Sequence, residues 1–128
     1  MVRKIFPSVF LLALLFQAAG CGDSSDQNCN VAGINVGPNA ATVNHSAVPP
    51  GNSQQFSASV KFAGLCTAAT AALVNSNWTA SDPSVQLSAS PTTQVTATCT
   101  AAVASPVTIT AHQVGGQQAT ATATLNCQ

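Results

Sequence analysis

From Phe56 to Leu125 the apolar positions fall repeatedly on every second residue. Phe56, Ala58, Val60 and Phe62 alternate with Gln55, Ser57, Ser59 and Lys61. Trp78 and Ala80 alternate with Asn77 and Thr79, and Val85, Leu87 and Ala89 with Gln86 and Ser88. Val95, Ala97 and Cys99 alternate with Thr96, Thr98 and Thr100. Val107, Ile109 and Ala111 alternate with Thr108, Thr110 and His112, and Ala119, Ala121, Ala123 and Leu125 with Thr120, Thr122 and Thr124. Successive side chains of a strand point to opposite faces, so each segment predicts a strand with one apolar face and one hydroxyl or amide face. That pattern suits antiparallel sheets covered on one side. Phe56, Trp78 and Ile109 are among the large side chains on the inward phase and are predicted core residues.

The breaks between these segments carry turn chemistry. Pro49-Pro50-Gly51-Asn52, Ser81-Asp82-Pro83-Ser84, Ser90-Pro91 and Ser105-Pro106 punctuate the chain. Gly115-Gly116 lies between the last two segments, where a hairpin turn calls for positive φ. Upstream, Ile34 to Val36 and Ala41 to Val43 read as one strand split by Gly37-Pro38. The Ala-rich stretch Thr67 to Leu73 is the one candidate for a short helical turn. About seven strands in roughly 100 residues predict an all-β fold, an Ig-like two-sheet antiparallel sandwich.

The first residues follow a different rule. Arg3 and Lys4 precede an apolar run from Ile5 to Phe16, interrupted by Pro7 and Ser8, and Gln17 ends it. The run is too short to span a bilayer as a helix, which takes about 20 apolar residues, but it has the length of a signal peptide. Ala18-Ala19-Gly20-Cys21 resembles the cleavage site of a bacterial lipoprotein, with small side chains before a cysteine. The expected organisation is a lipoprotein signal peptide over 1–20, a tether over 21–28 and a domain over 29–128. Acyl chains such as palmitate on Cys21 would hold the protein to a membrane. Gly22 after the cysteine resembles outer-membrane sorting, if the host is Gram-negative.

Composition narrows the function classes. Cleavage would leave about 108 residues, enough for one domain. It would also remove Arg3 and Lys4, leaving Lys61 as the sole strong base against Asp23, Asp26 and Asp82. Nucleic-acid binding needs clustered Lys and Arg to displace counterions, so it is excluded as a function class. Phe56, Phe62 and Trp78 are the aromatics beyond the export segment, so the core must be built largely from Ala, Val and Leu. Disulfides contribute most to a small domain of that kind.

The chain resembles the group 2 bacterial Ig-like domains over roughly residues 32–126. The opening pattern is carried by Val36-Gly37-Pro38, Ala41-Thr42-Val43, Pro50-Gly51 and Gln54-Gln55-Phe56-Ser57-Ala58. The middle is carried by Trp78-Thr79-Ala80-Ser81-Asp82-Pro83-Ser84-Val85. The close is carried by Val107-Thr108-Ile109-Thr110-Ala111, Gly115-Gly116 and Ala119 to Leu125. The four cysteines after Cys21 lie outside the family pattern, and Ser90-Pro91-Thr92-Thr93 replaces its usual glycine-containing step. The resemblance implies an Ig-like sandwich of surface and adhesion proteins, often a spacer, with no catalytic residues and no cofactor.

Candidate chemistry is sparse. His45 and Asp82 are the His–Asp pair that loops at one end of a sandwich could bring together, but a hydrolase also needs a nucleophile, an oxyanion hole and a pocket. His112 falls on a polar face, and a metal site needs three or four converging ligands. Calcium needs clustered acids, and Asp82 is isolated. Trp78 could stack on a sugar, but its inward phase makes it a core residue. Thr108 and Thr110 should face Thr120, Thr122 and Thr124 across a hairpin. That array could order water, although threonine is simply a good exposed strand residue. No catalytic, cofactor or metal residue is assigned.

Without Cys21, four cysteines remain in an exported chain, a setting that favours disulfides over metal ligation. The residues alone leave three pairings open. Under the strand order that the resemblance implies, Cys29 and Cys66 lie at one end of the sandwich and Cys99 and Cys127 at the other. A disulfide needs Cα atoms within about 7 Å, so the expected bridges are Cys29–Cys66 and Cys99–Cys127. The functional expectation is a cell-envelope lipoprotein whose single domain is a structural or adhesive interaction module. The alternative is a carbohydrate- or polymer-binding module at the cell surface. The expected partners are the membrane, through lipid on Cys21, and a protein or glycan at the surface.

Overall fold

Alternation of Ala, Val and Leu with Ser, Thr and Gln builds eight strands and, among the described residues, no helix. The computed structural model describes residues 31–63 and 72–128. The segments read as signal peptide and tether lie outside the described residues, as do Cys21, Cys29 and Cys66 and residues 67–71 of the stretch read as a helical turn. Leu73, at the end of that stretch, forms an isolated antiparallel bridge with Ser59.

The strands are β1 (Val31–Gly37), β2 (Ala40–Val43), β3 (Ser53–Phe62), β4 (Ser76–Ala80), β5 (Val85–Leu87), β6 (Gln94–Cys99), β7 (Val107–Gln113) and β8 (Thr120–Cys127). They form two four-stranded sheets, ordered β1-β3-β6-β5 and β2-β8-β7-β4. This is the strand order of an immunoglobulin constant-type sandwich, with the first strand shared between the sheets. The split expected at Gly37-Pro38 is therefore a change of sheet, and it raises the strand count from about seven to eight. It also corrects the all-antiparallel expectation. The chain keeps its direction as it crosses from β1 to β2, and β8 runs the same way, so β2 and β8 pair in parallel, from Ala40 opposite Thr124 to Val43 opposite Cys127.

β1 begins beside the end of β3, with Val31 opposite Phe62. β8 finishes at Cys127, beside the last residue of β2. The sandwich thus has a Val31 end and a Cys127 end. The loops over 44–52, 81–84 and 100–106 gather at the Cys127 end, because β2, β4 and β6 all finish there. The β7–β8 turn lies at the opposite end, where Gly115 and Gly116 adopt φ of 77° and 64°.

The core lies between the sheets. Phe56, Ala97, Cys99, Ile109, Ala111 and Leu125 are fully buried, and Val95 and Val107 nearly so. Each large apolar side chain buried this way contributes about 1.5–3 kcal/mol relative to exposure. The alternation breaks at two places. β5 ends at Leu87, so Ala89 is exposed rather than inward, and Phe62 is half-buried at the open end of β3.

Candidate functional site

Cys99 closes β6 in one sheet, and Cys127 closes β8 in the other. The two form a disulfide with Cα atoms 5.7 Å apart, and both are buried. The bridge is therefore a staple between the sheets at the Cys127 end. The expected Cys29–Cys66 bridge lies outside the described residues.

Phe56, Trp78 and Ile109 all sit in the core, at 0%, 4% and 0% exposure. Trp78 is not available to stack on a sugar from the surface. Its indole N–H donates to the Thr92 carbonyl at 2.9 Å, which supplies the partner that a buried indole needs. The same carbonyl accepts from the Ser76 N–H at 3.0 Å, and the Ser76 carbonyl accepts from the Thr92 N–H at 3.0 Å. The Trp78 backbone N–H donates to Ser90 Oγ at 2.9 Å. β4 is an edge strand, and the segment Ser90-Pro91-Thr92 covers its outward donors, which would otherwise be open to pairing with another chain. Fully buried Ser76 keeps a partner too, its hydroxyl donating to the Val74 carbonyl at 3.3 Å.

The His–Asp pair does not assemble. His45 belongs to the loop after β2, and Asp82 to the loop after β4, on opposite edges of one sheet. Asp82 Oδ1 accepts from the Ser84 N–H at 2.8 Å and shapes its own turn. His45 has a different task. Its backbone N–H, at 2.8 Å, and its Nδ1, at 2.7 Å, both reach the Gln128 main-chain oxygen. That oxygen only accepts, so Nδ1 carries the proton. The Gln128 N–H returns a bond to the Val43 carbonyl at 2.9 Å, and the parallel ladder continues one residue past each strand. The described residues enclose no pocket, and no three metal-ligating side chains converge among them.

The outer face of the β2-β8-β7-β4 sheet carries the expected threonines. Thr108 faces Thr124, Thr110 faces Thr122, and Thr79 extends that second row on the other side of Thr110. His112 faces Thr120, and its Nδ1 lies 3.1 Å from Thr120 Oγ1. Asn77 completes that row. The face carries no Asp, Glu, Lys or Arg. Among the described residues the charged side chains are Lys61, near the Val31 end, and Asp82, near the Cys127 end.

The Cys127 end shows one feature that alternation could not reveal. Val48 is 84% exposed, the largest exposure among the large apolar residues described. It stands in a loop closed by bonds from the Gly51 N–H to the Val48 carbonyl and from the Ala47 N–H to the Asn44 carbonyl. Asn44 Oδ1 also accepts from the Ser46 N–H and hydroxyl. The Asn-x-Ser and Pro-Pro-Gly segments signal a turned loop, but turn chemistry says nothing of how far a side chain projects. No protein-family model matches this chain, and no curated protein does.

Proposed function

We propose that the protein is a cell-envelope lipoprotein, held by acyl chains on Cys21, whose single domain of group 2 bacterial Ig-like type is a structural or adhesive interaction module. The observation that carries this reading is the polarity of the sandwich. The chain enters at the Val31 end, and the loops over 44–52, 81–84 and 100–106 gather at the other. An anchor preceding Val31 would present those loops, with exposed Val48 among them, away from the membrane. Two acyl chains hold a protein stably where one binds only reversibly. Binding would use loops or a sheet edge rather than a catalytic pocket.

Metabolic labelling with a fatty-acid analogue tests the anchor. The native chain takes up label and fractionates with membranes, and with the outer membrane in a Gram-negative host. Cys21→Ser loses the label and is released. Unchanged membrane association of that variant overturns the reading.

A second reading, a carbohydrate- or polymer-binding module, draws on the face of Thr79, Thr108, Thr110, Thr122 and Thr124, which offers hydroxyls to a hydroxylated polymer. Retention on immobilised polysaccharide that is lost in Thr110→Val/Thr122→Val, with folding intact, would favour it over the first.

A further inference from the structure

We infer that the Val31 end of the sandwich is a membrane-contacting surface, on which Val31, Leu73 and Val114 dip into the boundary between headgroups and acyl chains and hold the domain upright on the bilayer. The inference rests on the envelope-lipoprotein reading for the presence of the anchor, and adds what the anchored domain touches.

The exposed large apolar side chains among the described residues are Val31, Val48, Leu73 and Val114. Val48 stands at the Cys127 end, and the other three at the Val31 end. Val31 lies opposite Phe62, where β3 finishes. Leu73 bridges to Ser59, close to that finish. Val114 follows the last residue of β7, and its N–H donates to the carbonyl of Asn75, which precedes β4. β7 finishes and β4 starts at this end, so both sheets contribute to one surface. Val31 is 37% exposed, Leu73 51% and Val114 44%. Half-buried Phe62 adds apolar surface beside Val31.

The flanks are polar. Asn35, Ser57, Thr96 and Thr98 lie on the outer face of one sheet, and the threonine rows on that of the other. A side-on approach would press hydroxyls and amides against acyl chains and strip them of water, which is unfavourable. An end-on approach removes apolar surface from water instead. Among the described residues the one carboxylate, Asp82, is at the far end. Exposed Lys61 can keep its ammonium among phosphates while its stem follows the apolar surface. Asp23 and Asp26 in the tether offset that single charge, so the contact is apolar rather than electrostatic.

The tether brings this end to the lipid. Residues 22–30 join Cys21 to Val31 and reach at most about 30 Å. The expected Cys29–Cys66 bridge, outside the described residues, would shorten the free part to 22–28. Three aliphatic side chains hold a free domain weakly, but the anchor makes the contact intramolecular and raises the effective concentration of the surface. Upright, the domain carries the loops over 44–52, 81–84 and 100–106 about 30 Å from the membrane, the length of ten-residue β3.

The mature chain, 21–128, oxidised and coupled through Cys21 to a maleimide phospholipid in phosphatidylcholine vesicles, tests the contact without relying on acylation in the cell. Peptide mapping verifies the coupling position. A photoreactive diazirine in the vesicle acyl chains labels what reaches them, and fragmentation locates the label by residue. Label should fall on Val31, Leu73 and Val114 several-fold more than on residues 44–52. It should persist at about 1 M salt, where the Debye length is about 3 Å. Leu73→Asp/Val114→Asp, with an unchanged circular dichroism spectrum, should lose most of the label at Val31 as well. Equal labelling of both ends, label confined to the tether or to residues 64–71, or loss of label in salt overturns the inference. Metabolic labelling at Cys21 is read separately, so failure of the anchor and failure of the contact are distinguishable.

Discussion

The Trp78 indole N–H and the Thr92 carbonyl, 14 residues apart in the chain, meet at 2.9 Å and join β4 of one sheet to the segment that leads into β6 of the other. The bond does two things at once. It satisfies the one polar atom of the largest core side chain, and it holds Ser90-Pro91-Thr92 over the β4 edge.

Replacing Trp78 separates these roles. Trp78→Ala should destabilise the domain by about 3–5 kcal/mol, because a core of small residues cannot refill the cavity. Trp78→Phe keeps a ring and loses the donor, which is worth about 1 kcal/mol. The Thr92 carbonyl would still accept from Ser76. Urea denaturation followed by circular dichroism checks both values. Equal losses for the two variants would contradict the cavity assignment, because both remove the donor and Trp78→Ala alone removes the ring.

Removing the Cys99–Cys127 bridge should cost about 3–4 kcal/mol in the chain-entropy model, given a sequence separation of 28. The paired Cys99→Ala/Cys127→Ala variant measures it under oxidising conditions. Tryptic and chymotryptic peptide mapping without reductant should recover Cys99 linked to Cys127. A peptide linking either residue to another cysteine would show the inter-sheet staple to be wrong.

His45 predicts a spectroscopic result. In its neutral form the ring should carry its proton on Nδ1, the tautomer that donates to Gln128. Long-range proton–nitrogen correlation spectra of the folded chain distinguish the two tautomers. His45→Ala should lower stability by about 1 kcal/mol, and a dominant Nε2–H tautomer would refute the bond.

Gly116 has φ of 64°. Gly116→Ala should cost about 1–2 kcal/mol, because a Cβ disfavours the left-handed region. The added carbon would also lie 3.3 Å from Gln113 Nε2. Thermal melts of the variant against the parent check it. A stabilised variant would mean that the turn had changed its conformation.

The one-sided strands were legible in the residues because each buries one face, which turns depth into a period of two. Phe56, Trp78 and Ile109 were readable as core for that reason. Strand direction leaves no such trace. Nothing in Ala40–Val43 distinguishes a parallel neighbour from an antiparallel one, so the β2–β8 pairing emerged only from the fold. Ser76 sits on the inward phase of Trp78, and its burial could have been read from that phase, had its hydroxyl not suggested a surface position. The roles of Ser90 and Thr92 depend on partners 12 to 16 residues away, and no local pattern encodes them. The exposure of Val48 and the bond from His45 to Gln128 belong to the same class of long-range outcome.

The staple between Cys99 and Cys127 changes what a peptidase can do to the protein. The exposed loop over 100–106 and the turn over 114–118 offer backbone to a protease, and both lie between the bridged cysteines. A cut in either opens a ring instead of severing a thread. The pieces stay joined through sulfur, and β7 and β8 keep their places between their neighbours. A nicked molecule would migrate as an intact chain until reductant is added. Under oxidising conditions, one cleavage would leave the domain in place.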